Sequence, residues 1–383
     1  MKIFDRTCVQ VNLDSIVHNY GVIRREFADQ QILTVLKGNA YGHGIAGILP
    51  ACDPHTDAYA VATAEEGMEI RRWGSQKPIL VFGPVPPVLI AKAAAFSLTF
   101  TVGSLFYAEQ LQAQLQAAGL TATCQLKIDT GLNRTGLHWR EETKDALLAD
   151  IEKIYALSCL QITGTYTHLA CPESADPEDV RFTQMQFDRF QQACDAIQAK
   201  GLPTGIRHCC ATGGALAHPE YRMDMVRLGM MVYGQCDTLE HQRQLGLQEA
   251  MCWKARIIQI DTVAPGESIS YGRTFQTKKE MVVGVVSCGY ADGYRRSYQS
   301  FGTALCDGKY CSTLGRICMD YLLIDLTDVE NPQVGMEVVL LGSQKGRHIS
   351  AIEISEAVGS VCGEVTGAIS ARVPRYYISG QEG

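Results

Sequence analysis

The stretch I32-L33-T34-V35-L36-K37-G38-N39-A40-Y41-G42-H43-G44 decides how the fold of this chain is predicted. Ile32 to Leu36 is apolar and β-branched, which predicts a buried strand, and Lys37 follows where that strand reaches solvent. A lysine half removed from water has a lowered pKa, as a Schiff-base lysine requires. Taken alone, such a lysine is more often a solvated residue, so the role of Lys37 depends on the rest of the chain.

Short apolar runs alternate with amphipathic segments from about residue 30 to about 235, the pattern of repeated strand and helix units. The runs predict eight strands: Ile32 to Leu36, Ala58 to Ala62, Ile79 to Phe82, Leu98 to Val102, Gln125 to Ile128, Leu160 to Thr167, Gly205 to Cys210 and Met225 to Val232. Apolar residues at helical spacing predict helices at Glu65 to Trp73, Leu105 to Ala118, Lys144 to Leu157 and Phe182 to Lys200. Eight such repeats predict a TIM barrel.

The pattern changes after about residue 250, where strand-like runs follow one another without long helices. These runs are Lys254 to Ile260, Met281 to Ser287, Tyr321 to Leu326 and Glu337 to Leu341, and only Ile349 to Val358 resembles a helix. D307-G308 predicts a tight hairpin turn. We therefore expect a barrel domain over residues 1–245 and a mostly β domain over 246–383. An early strand, Val9 to Leu13, pairs with either domain, and the sequence leaves this open.

The composition limits the classes of function. The 383 residues are 46% hydrophobic and 20% charged, as in an ordinary globular protein large enough for two domains. The net charge of −7 argues against a nucleic acid as partner, and the absence of an apolar run of about 18 residues predicts no membrane segment. The start M1-K2-I3-F4-D5-R6 lacks a signal-peptide core, so we expect a cytoplasmic protein. Its 15 cysteines are then expected as free, mostly buried thiols.

No metal site is predicted. His208, Cys209 and Cys210 are adjacent, but no C-x-x-C or H-x-x-x-H pair occurs. Neighbouring side chains on a strand also point to opposite faces, which argues against these three as a set of ligands.

Catalytic groups of a TIM barrel lie at the C-terminal ends of its strands. The residues there are Lys37 after the first strand, Lys127, Asp129 and Arg134 after the fifth, His168 after the sixth, Thr212, Gly213 and Gly214 after the seventh, and Arg227 and Gly229 at the eighth. Small residues after the last two strands leave backbone N–H groups free for an anion. A lysine, a phosphate cradle and two arginines predict pyridoxal 5'-phosphate, which needs an imine partner, a phosphate anchor and a group facing its pyridine nitrogen.

Several motifs in this chain resemble those of the alanine racemase family. K37-G38-N39-A40-Y41-G42-H43-G44 is similar to the family's cofactor-lysine signature, usually K-A-D-A-Y-G-H-G, and departs from it at Gly38 and Asn39. Further resemblances follow in the expected order: K127-I128-D129-T130-G131-L132-N133-R134-T135-G136, V226-R227-L228-G229, S270-Y271-G272, G289-Y290-A291-D292-G293 and G315-R316-I317-C318-M319-D320. They cover both predicted domains.

The resemblance implies an isomerase that interconverts L- and D-alanine with two bases. Lys37 would hold pyridoxal phosphate and act on one face of the substrate carbon. Tyr271 would act on the other face, from the partner subunit of a homodimer. Arg227 would face the pyridine nitrogen, and His168 would lie between Arg227 and the tyrosine. The phosphate would be held by Tyr41, Thr212, Gly229 and Met230.

The resemblance also implies the groups around the substrate. Arg134 and Met319 would contact the substrate carboxylate. Lys127 would orient Arg134 as a carbamylated lysine, although Lys127 and Asp129 share a strand face and a simple salt bridge between them stays open. Tyr290, Arg296 and Asp320 would line the entrance, and for Tyr290 a structural role is the alternative.

One departure from the family concerns substrate choice. The family has a tyrosine before R-V-P-R, whereas this chain has Ala371. The resemblance implies that this tyrosine bonds the phosphate and crowds the substrate side chain. A branch of relatives that racemises serine, associated with vancomycin resistance, also lacks it. Serine is therefore a second expected substrate, alone or beside alanine. A second departure, A211-T212 in place of asparagine and serine, keeps a hydroxyl at Thr212.

Two other classes of protein share parts of this pattern. A non-catalytic pyridoxal-phosphate carrier has a barrel and a lysine, but it lacks the second domain and the tyrosine. A decarboxylase of basic amino acids has a barrel and a β domain, but it needs an acidic pocket that we do not find in the sequence. The favoured function is thus alanine racemisation, which supplies D-alanine for peptidoglycan.

Overall fold

The computed structural model describes residues 6–380. The chain divides into two compact units. The barrel unit consists of Tyr20–Ala40 and Leu49–Val232. The β-rich unit contains the described residues up to 19, together with 41–48 and those from 233 onward. The first strand, β1 (Thr7–Asn12), lies in the β-rich unit.

The barrel unit contains a nearly closed ring of eight parallel strands. These are β2 (Gln31–Val35), β3 (Ala58–Val61), β4 (Ile79–Val81), β5 (Thr99–Val102), β6 (Ala122–Asp129), β8 (Leu160–Tyr166), β9 (Ile206–His208) and β10 (Met225–Leu228), while the short β7 (Leu137–His138) pairs only with β6. Each strand pairs with the next, and β10 returns to β2. A single bridge between Ala211 and Arg227 joins the last two strands of the ring. The predicted TIM barrel is confirmed.

The helices of this part of the chain are α1 (Leu13–Glu26), α2 (Lys37–Tyr41), α3 (Ile45–Cys52), α4 (Ala64–Arg72), α5 (Pro87–Ala95), α6 (Leu105–Ala118), α7 (Lys144–Tyr155), α8 (Pro177–Ala199) and α9 (Thr212–Ala217). Three-residue and four-residue 3₁₀ turns cover Pro219–Tyr221 and Met230–Tyr233. The helix α8 begins five residues before its predicted start, because the carboxylate of Asp176 caps the amide of Glu178 and Pro177 occupies the first turn.

Two barrel strands end two or more residues before their predicted ends. The seventh ends at His208 rather than Cys210, and the eighth ends at Leu228 rather than Val232, where the chain turns into a 3₁₀ helix. Most of the apolar residues beyond these strands are buried, so hydrophobicity alone does not mark the strand ends. These earlier strand ends matter for the site, because Cys209, Cys210, Gly229 and Met230 lie beyond the strands and not within them.

The β-rich unit has the strands β11 (Met251–Val263), β12 (Ser268–Ile269), β13 (Phe275–Gln276), β14 (Met281–Val286), β15 (Thr303–Cys306), β16 (Lys309–Ser312), β17 (Leu322–Asp325), β18 (Glu337–Gln344), β19 (Arg347–Ile349) and β20 (Arg375–Ile378). The long β11 pairs with β1, β14 and β18. The strand β1 pairs with β11 and β20, so it joins this sheet, a point that the sequence left open.

Helices of this unit are α10 (Leu239–Leu245), α11 (Ala351–Val358) and α12 (Cys362–Gly367), with 3₁₀ turns at Tyr271–Arg273, Tyr290–Asp292 and Arg296–Ser300. The prediction of only one helix near the C-terminus is therefore wrong, since α12 follows α11. The hairpin turn at Asp307 and Gly308 is confirmed: both residues have positive φ, and they join β15 to β16.

All 15 cysteines are free, and most are buried. Among residues 6–380 we find no helix that combines the length and apolar character needed to cross a bilayer.

Candidate active site

Lys37 stands directly beyond β2 and begins a left-handed turn. Gly38, Asn39 and Ala40 have φ/ψ of 64/40°, 52/51° and 56/49°. Each L-residue in this conformation costs about 1–2 kcal/mol, so the turn needs support from its surroundings. Glu66 provides it, because Oε1 accepts hydrogen bonds from the amides of Gly38 (2.7 Å) and Asn39 (3.3 Å). Such strain beside a lysine is typical of a functional site.

The electrostatic surroundings of Lys37 favour its neutral form. Burial lowers the pKa of its amine, and the positive charges of Arg134 and Arg227 lower it further, against the opposing effect of Glu66. A lysine in this state is both a nucleophile and a proton acceptor.

Arg227, on β10, is almost completely buried. Its Nη1 donates to Nδ1 of His208 (3.0 Å), and its Nη2 donates to Nδ1 of His168 (3.0 Å) and to the carbonyls of Thr167 (2.9 Å) and Cys209 (2.8 Å). Within residues 6–380 the Nε of Arg227 makes no hydrogen bond. A buried guanidinium held through both Nη atoms thus keeps its Nε–H for a further acceptor.

The two histidines that contact Arg227 are neutral, with the proton on Nε2. A guanidinium only donates, so Nδ1 of each ring must accept. Burial lowers the pKa of both His168 and His208 well below the usual value, and the charge of Arg227 lowers both further. The Nε2–H of His208 donates to Oε1 of Gln125 at 2.9 Å.

An anion cradle lies where the last two barrel strands end. Thr212 begins α9, and the bridge between Ala211 and Arg227 sets it beside the residues that follow β10. In the described part of the chain, the hydroxyl of Thr212 and the amides of Gly229 and Met230 have no hydrogen-bond acceptor. Unused donors at a nearly buried position fit a phosphate group.

Tyr41 belongs to the β-rich unit, where its ring lies 5.4 Å from that of Tyr233. Burial raises the pKa of its phenol to about 12, so the hydroxyl stays protonated and able to donate.

Lys127, near the end of β6, is buried, and within the described residues it makes no ion pair with an acidic side chain. Its Nζ donates to Oγ1 of Thr135 at 2.6 Å. Burial lowers its pKa to about 8, and the charges of Arg134 and Arg227 act in the same direction. Among the residues described, Lys127 makes no ion pair with Asp129, although the charge of Asp129 opposes the lowering of its pKa.

The carboxylate of Asp129 instead organises the loop that carries Arg134. It accepts hydrogen bonds from the amides of Gly131, Asn133 and Arg134, and it lies 3.6 Å from Arg140. Burial alone would raise the pKa of Asp129, but these amide donors lower it. Arg134 is exposed, and its side chain makes no hydrogen bond or ion pair in the described residues. It is therefore available to an anionic ligand.

The β-rich unit presents the other predicted residues on adjoining loops. The side chains of Tyr271, Tyr290 and Met319 are 68%, 41% and 53% exposed. The hydroxyl of Ser270 donates to the carbonyl of Arg316, and the amides of Tyr290 and Ala291 donate to the carbonyls of Cys318 and Met319. Main-chain contacts thus hold three apolar or aromatic side chains on one exposed region.

The remaining predicted residues differ in their surroundings. Asp320 pairs with Arg372 at 2.8 Å, and Arg372 also contacts the buried carboxylate of Asp292. Arg296 and Ala371 are exposed, and in the described residues the side chain of Arg296 has no hydrogen-bond or ion-pair partner.

Cys209 and Cys210 do not lie on a strand, so the alternation of side chains that was expected there does not apply. The strand β9 ends before them, so both sulfurs point the same way, 3.6 Å apart, and both contact the carbonyl of Tyr221. In the β-rich unit, Cys236, Asp237 and His241 bring three potential metal ligands within 4.8 Å of one another. Hydrogen bonds from the other two to Asp237 account for that arrangement.

The structure brings Lys37, Lys127, Arg134, His168 and Arg227 to one end of the barrel, as the sequence predicted, and adds residues that the sequence did not single out. Glu66 supports the lysine turn, and its capping box with Thr63 is visible as T-A-E-E. His208 and Gln125 support Arg227, and only the folded barrel reveals them.

Comparison with known proteins gives a consistent result. Residues 11–237 match the family model described as alanine racemase, N-terminal domain, and residues 250–377 match that of the C-terminal domain. The chain is 37% identical to alanine racemase 2 of Caldanaerobacter subterraneus, over 97% of this chain and 95% of that protein, and 36% identical to the alanine racemase of Carboxydothermus hydrogenoformans, over 96% and 98%.

Solved structures agree with the sequence matches. The alanine racemase of Clostridium difficile superposes with a TM-score of 0.90 at 30% identity, covering 99% of this chain and 97% of that one. The alanine racemase of Bacillus anthracis with bound L-Ala-P superposes with a TM-score of 0.89 at 30% identity, covering 99% and 96%.

Proposed function

The chain belongs to the alanine racemase family of isomerases, and from that premise we propose that it interconverts L- and D-alanine by a two-base mechanism in a homodimer, with pyridoxal 5'-phosphate as cofactor. Arg227 carries the proposal: its Nη atoms are held by two neutral histidines, and its Nε is unused. We place the enzyme in the cytoplasm, where its D-alanine would supply peptidoglycan synthesis.

The residues present fit the cofactor. Lys37 would hold it covalently, Arg227 would face the pyridine nitrogen through Nε, and the phosphate would be held by Tyr41, Thr212 and the amides of Gly229 and Met230. When bound, pyridoxal phosphate withdraws electrons from Cα of the attached amino acid and makes its proton acidic. A guanidinium at the pyridine nitrogen limits that withdrawal, which favours proton exchange over transamination.

Lys37 is the base on one face of the substrate. Its lowered pKa leaves a neutral amine that accepts the Cα proton and returns it as an ammonium group. Burial, Arg134 and Arg227 all support this state.

Tyr271 of the partner subunit is the base on the opposite face. Racemisation needs a proton removed from one face and delivered to the other. The high exposure of the Tyr271 side chain supports a role across a subunit interface. His168 would donate its Nε2–H to the phenolate oxygen and stabilise that anion without adding a charge of its own.

Arg134 would bind the substrate carboxylate, with Met319 of the partner subunit beside it. Its guanidinium suits a two-point contact with a carboxylate. Lys127 is proposed to be carbamylated, because an amine with a pKa of about 8 is partly neutral at physiological pH and can react with carbon dioxide. The resulting anion would orient Arg134. Tyr290, Arg296 and Asp320 are proposed to line the entrance to the site.

We also propose a division of the chain into domains of residues 1–245 and 246–383.

The proposal is tested by exchange of the Cα proton of L- and D-alanine in deuterated water. We expect Lys37→Ala and Tyr271→Phe each to lower racemisation by about 10²–10⁴-fold, the range for a positioned acid or base. Tyr310→Phe is the matched control, since Tyr310 is also an exposed tyrosine of the β-rich unit. Full activity of Tyr271→Phe with both enantiomers would refute the two-base mechanism.

Subunit sharing has its own test. When Lys37→Ala and Tyr271→Phe chains are co-expressed, a hybrid dimer has one intact site only if the two residues of a site come from different subunits. Random pairing then gives about a quarter of wild-type activity, because half of the dimers are hybrids with one working site of two. No recovery would contradict a shared site.

Serine is a second candidate substrate, favoured by Ala371. The small, exposed side chain of Ala371 lies where the family has a tyrosine that crowds the substrate, so the hydroxymethyl group of serine would find room. We expect L-serine to be racemised as well as L-alanine, and Ala371→Tyr to shift the ratio of rates toward alanine. If the wild-type enzyme leaves L-serine unchanged at high concentration, serine is not a substrate.

A further inference from the structure

A glutamine inside the barrel contacts the histidine that holds Arg227. Gln125 lies on β6 and is 7% exposed, and its Oε1 lies 2.9 Å from Nε2 of His208. It is a polar side chain facing the barrel interior two residues before Lys127, at a depth where such a group needs a partner.

The backbone around Gln125 is shaped to point its amide inward. The pairing of β6 with β8 shifts register there, from Cys124 opposite Ile162 to Gln125 opposite Gly164. A bulge of this kind re-aims a side chain near a functional site. A Cβ added at Gly164 would lie only 3.0 Å from Cδ and Nε2 of Gln125, so the glycine provides the space that the amide occupies.

The hydrogen bonds around His208 are consistent with only one arrangement of protons. Arg227 donates to Nδ1, so a neutral ring carries its proton on Nε2, and the atom facing it must accept. Only Oε1 of Gln125 can accept, which fixes the amide orientation as well. With the other tautomer, an N–H of His208 would face an N–H of Arg227 and one hydrogen bond would be lost.

Tyr166 holds the plane of the imidazole. Its ring stacks on that of His208 with centroids 4.9 Å apart and planes within 4°. The hydroxyl of Tyr166 is itself fixed by Oγ1 of Thr101 at 3.0 Å. The stacking sets the orientation of the ring but does not select which nitrogen carries the proton, so that choice falls to its two hydrogen-bond partners, Arg227 at Nδ1 and Gln125 at Nε2.

We propose that Gln125 is a positioning residue that keeps the proton of His208 on Nε2, so that Nδ1 accepts from Arg227 and the guanidinium stays aligned. The effect of Gln125 on catalysis rests on the proposed function, because Arg227 acts there through the cofactor. The effect of Gln125 on the proton of His208 is independent of that function and can be measured on protein free of cofactor.

The direct test is nitrogen NMR of protein labelled with ¹⁵N-histidine, with and without cofactor, which distinguishes Nδ1–H, Nε2–H and doubly protonated rings. His208→Gln assigns the signal among the nine histidines. In wild type we expect His208 protonated on Nε2 only. Gln125→Leu should leave the Nε2–H of His208 without an acceptor and shift the Nε2 signal, whereas Gln125→Glu should raise the pKa of the ring, because a carboxylate favours the cation.

Thr123→Val is the matched control, since it removes a hydrogen bond from the same strand, that of Thr123 with Thr99. It should leave the His208 signals unchanged. A glutamine that only filled space would cost stability in the Leu variant without moving those signals. Wild-type His208 protonated on Nδ1, or signals unaltered in both Gln125 variants, would overturn the proposal.

Kinetics supply the second readout. We expect Gln125→Leu and Gln125→Glu to lower kcat by about 10–100-fold with a smaller change in KM, a loss typical of removing the partner that orients a functional histidine. Shifted NMR signals with unchanged kcat would refute the role of Arg227 in the proposed function while sustaining the role of Gln125 toward His208.

Discussion

The Nη2 atom of Arg227 lies 3.0 Å from Nδ1 of His168, and this contact determines which ring nitrogen of His168 carries the proton. Because a guanidinium only donates, Nδ1 accepts and Nε2 keeps its hydrogen. In the described residues that Nε2–H has no acceptor. The barrel therefore offers a neutral donor beside a buried cation, which suits the phenolate that we propose for Tyr271.

The two neutral histidines predict how stability depends on pH. His168 and His208 have lowered pKa values in the folded chain, whereas unfolded histidine titrates near 6.5. Below about pH 6.5 the unfolded chain therefore binds protons that the folded chain does not, and the free energy of unfolding falls. Each histidine contributes a slope of up to about 1.4 kcal/mol per pH unit.

Urea denaturation between pH 5 and 8 measures this slope. We expect His208→Gln to reduce it, since glutamine does not titrate. The control is His18→Gln, because His18 is an exposed histidine whose Nε2 contacts the carbonyl of Gly246. Equal slopes for wild type and His208→Gln would show that the buried ring is already charged.

Lys127 gives a second prediction. Its amine has a pKa of about 8 and makes no ion pair among residues 6–380, so it should react with carbon dioxide. We expect a carbamate signal by ¹³C NMR in protein equilibrated with ¹³C-bicarbonate, and its absence in Lys127→Met. Lys77→Met, which removes a lysine outside the barrel mouth, is the control. A raised KM for alanine in Lys127→Met should accompany the loss, because Arg134 loses its anionic partner. An unchanged spectrum in Lys127→Met would assign the signal to another amine.

The barrel was predictable because strand and helix alternate with a period that is written locally in the sequence. The strand β20 was not, since Arg375–Ile378 is stabilised by pairing with β1 at the other end of the chain. The left-handed turn after Lys37 was not predictable either, because it depends on Glu66, nearly 30 residues away. Long-range partners, rather than local propensity, decide such elements.

The site residues show the same contrast between local sequence signals and long-range partners. Lys37, His168 and Arg227 were found because the ends of barrel strands predict function. The sequence presents His208 only as a candidate metal ligand beside Cys209 and Cys210, and its contact with Arg227 exists only in the folded barrel. The sequence carries no signal for Gln125, because the bulge that turns it inward is a property of the pairing between β6 and β8.

Asp292 gives a third prediction, about stability. Its buried carboxylate accepts from Arg6 at 2.6 Å, from Arg372 at 2.7 Å and from the amide of Gly289 at 2.9 Å. Burial would raise its pKa, but the arginines and the amide lower it, so this stabilisation is lost as the pH falls through the folded-state pKa. Asp292→Asn should cost about 3–5 kcal/mol at pH 7, since it breaks a buried charge cluster.

The control for Asp292 is Asp320→Asn. Asp320 pairs with the same Arg372 but is itself half exposed, so its loss should cost at most about 1 kcal/mol. Chemical denaturation of both variants compares them directly. Similar losses would show that burial does not set the strength of this cluster.

Gly363 gives the last prediction, which concerns the phosphate anchor. A Cβ added there would lie 3.1 Å from Cδ1 and 3.3 Å from Cε1 of Tyr41, closer than ordinary contact. The Tyr41 ring is packed against Tyr233 and cannot yield freely, so Gly363→Ala should move the phenol. Gly367→Ala, in the same helix, meets no atom within 4 Å and should stabilise α12 by up to about 1 kcal/mol.

If Tyr41 holds the phosphate, pyridoxal phosphate should bind several-fold more weakly to Gly363→Ala than to Gly367→Ala in equilibrium dialysis. Equal affinities, together with equal thermal stability, would show that the ring accommodates the methyl group and that its position is not critical for the cofactor.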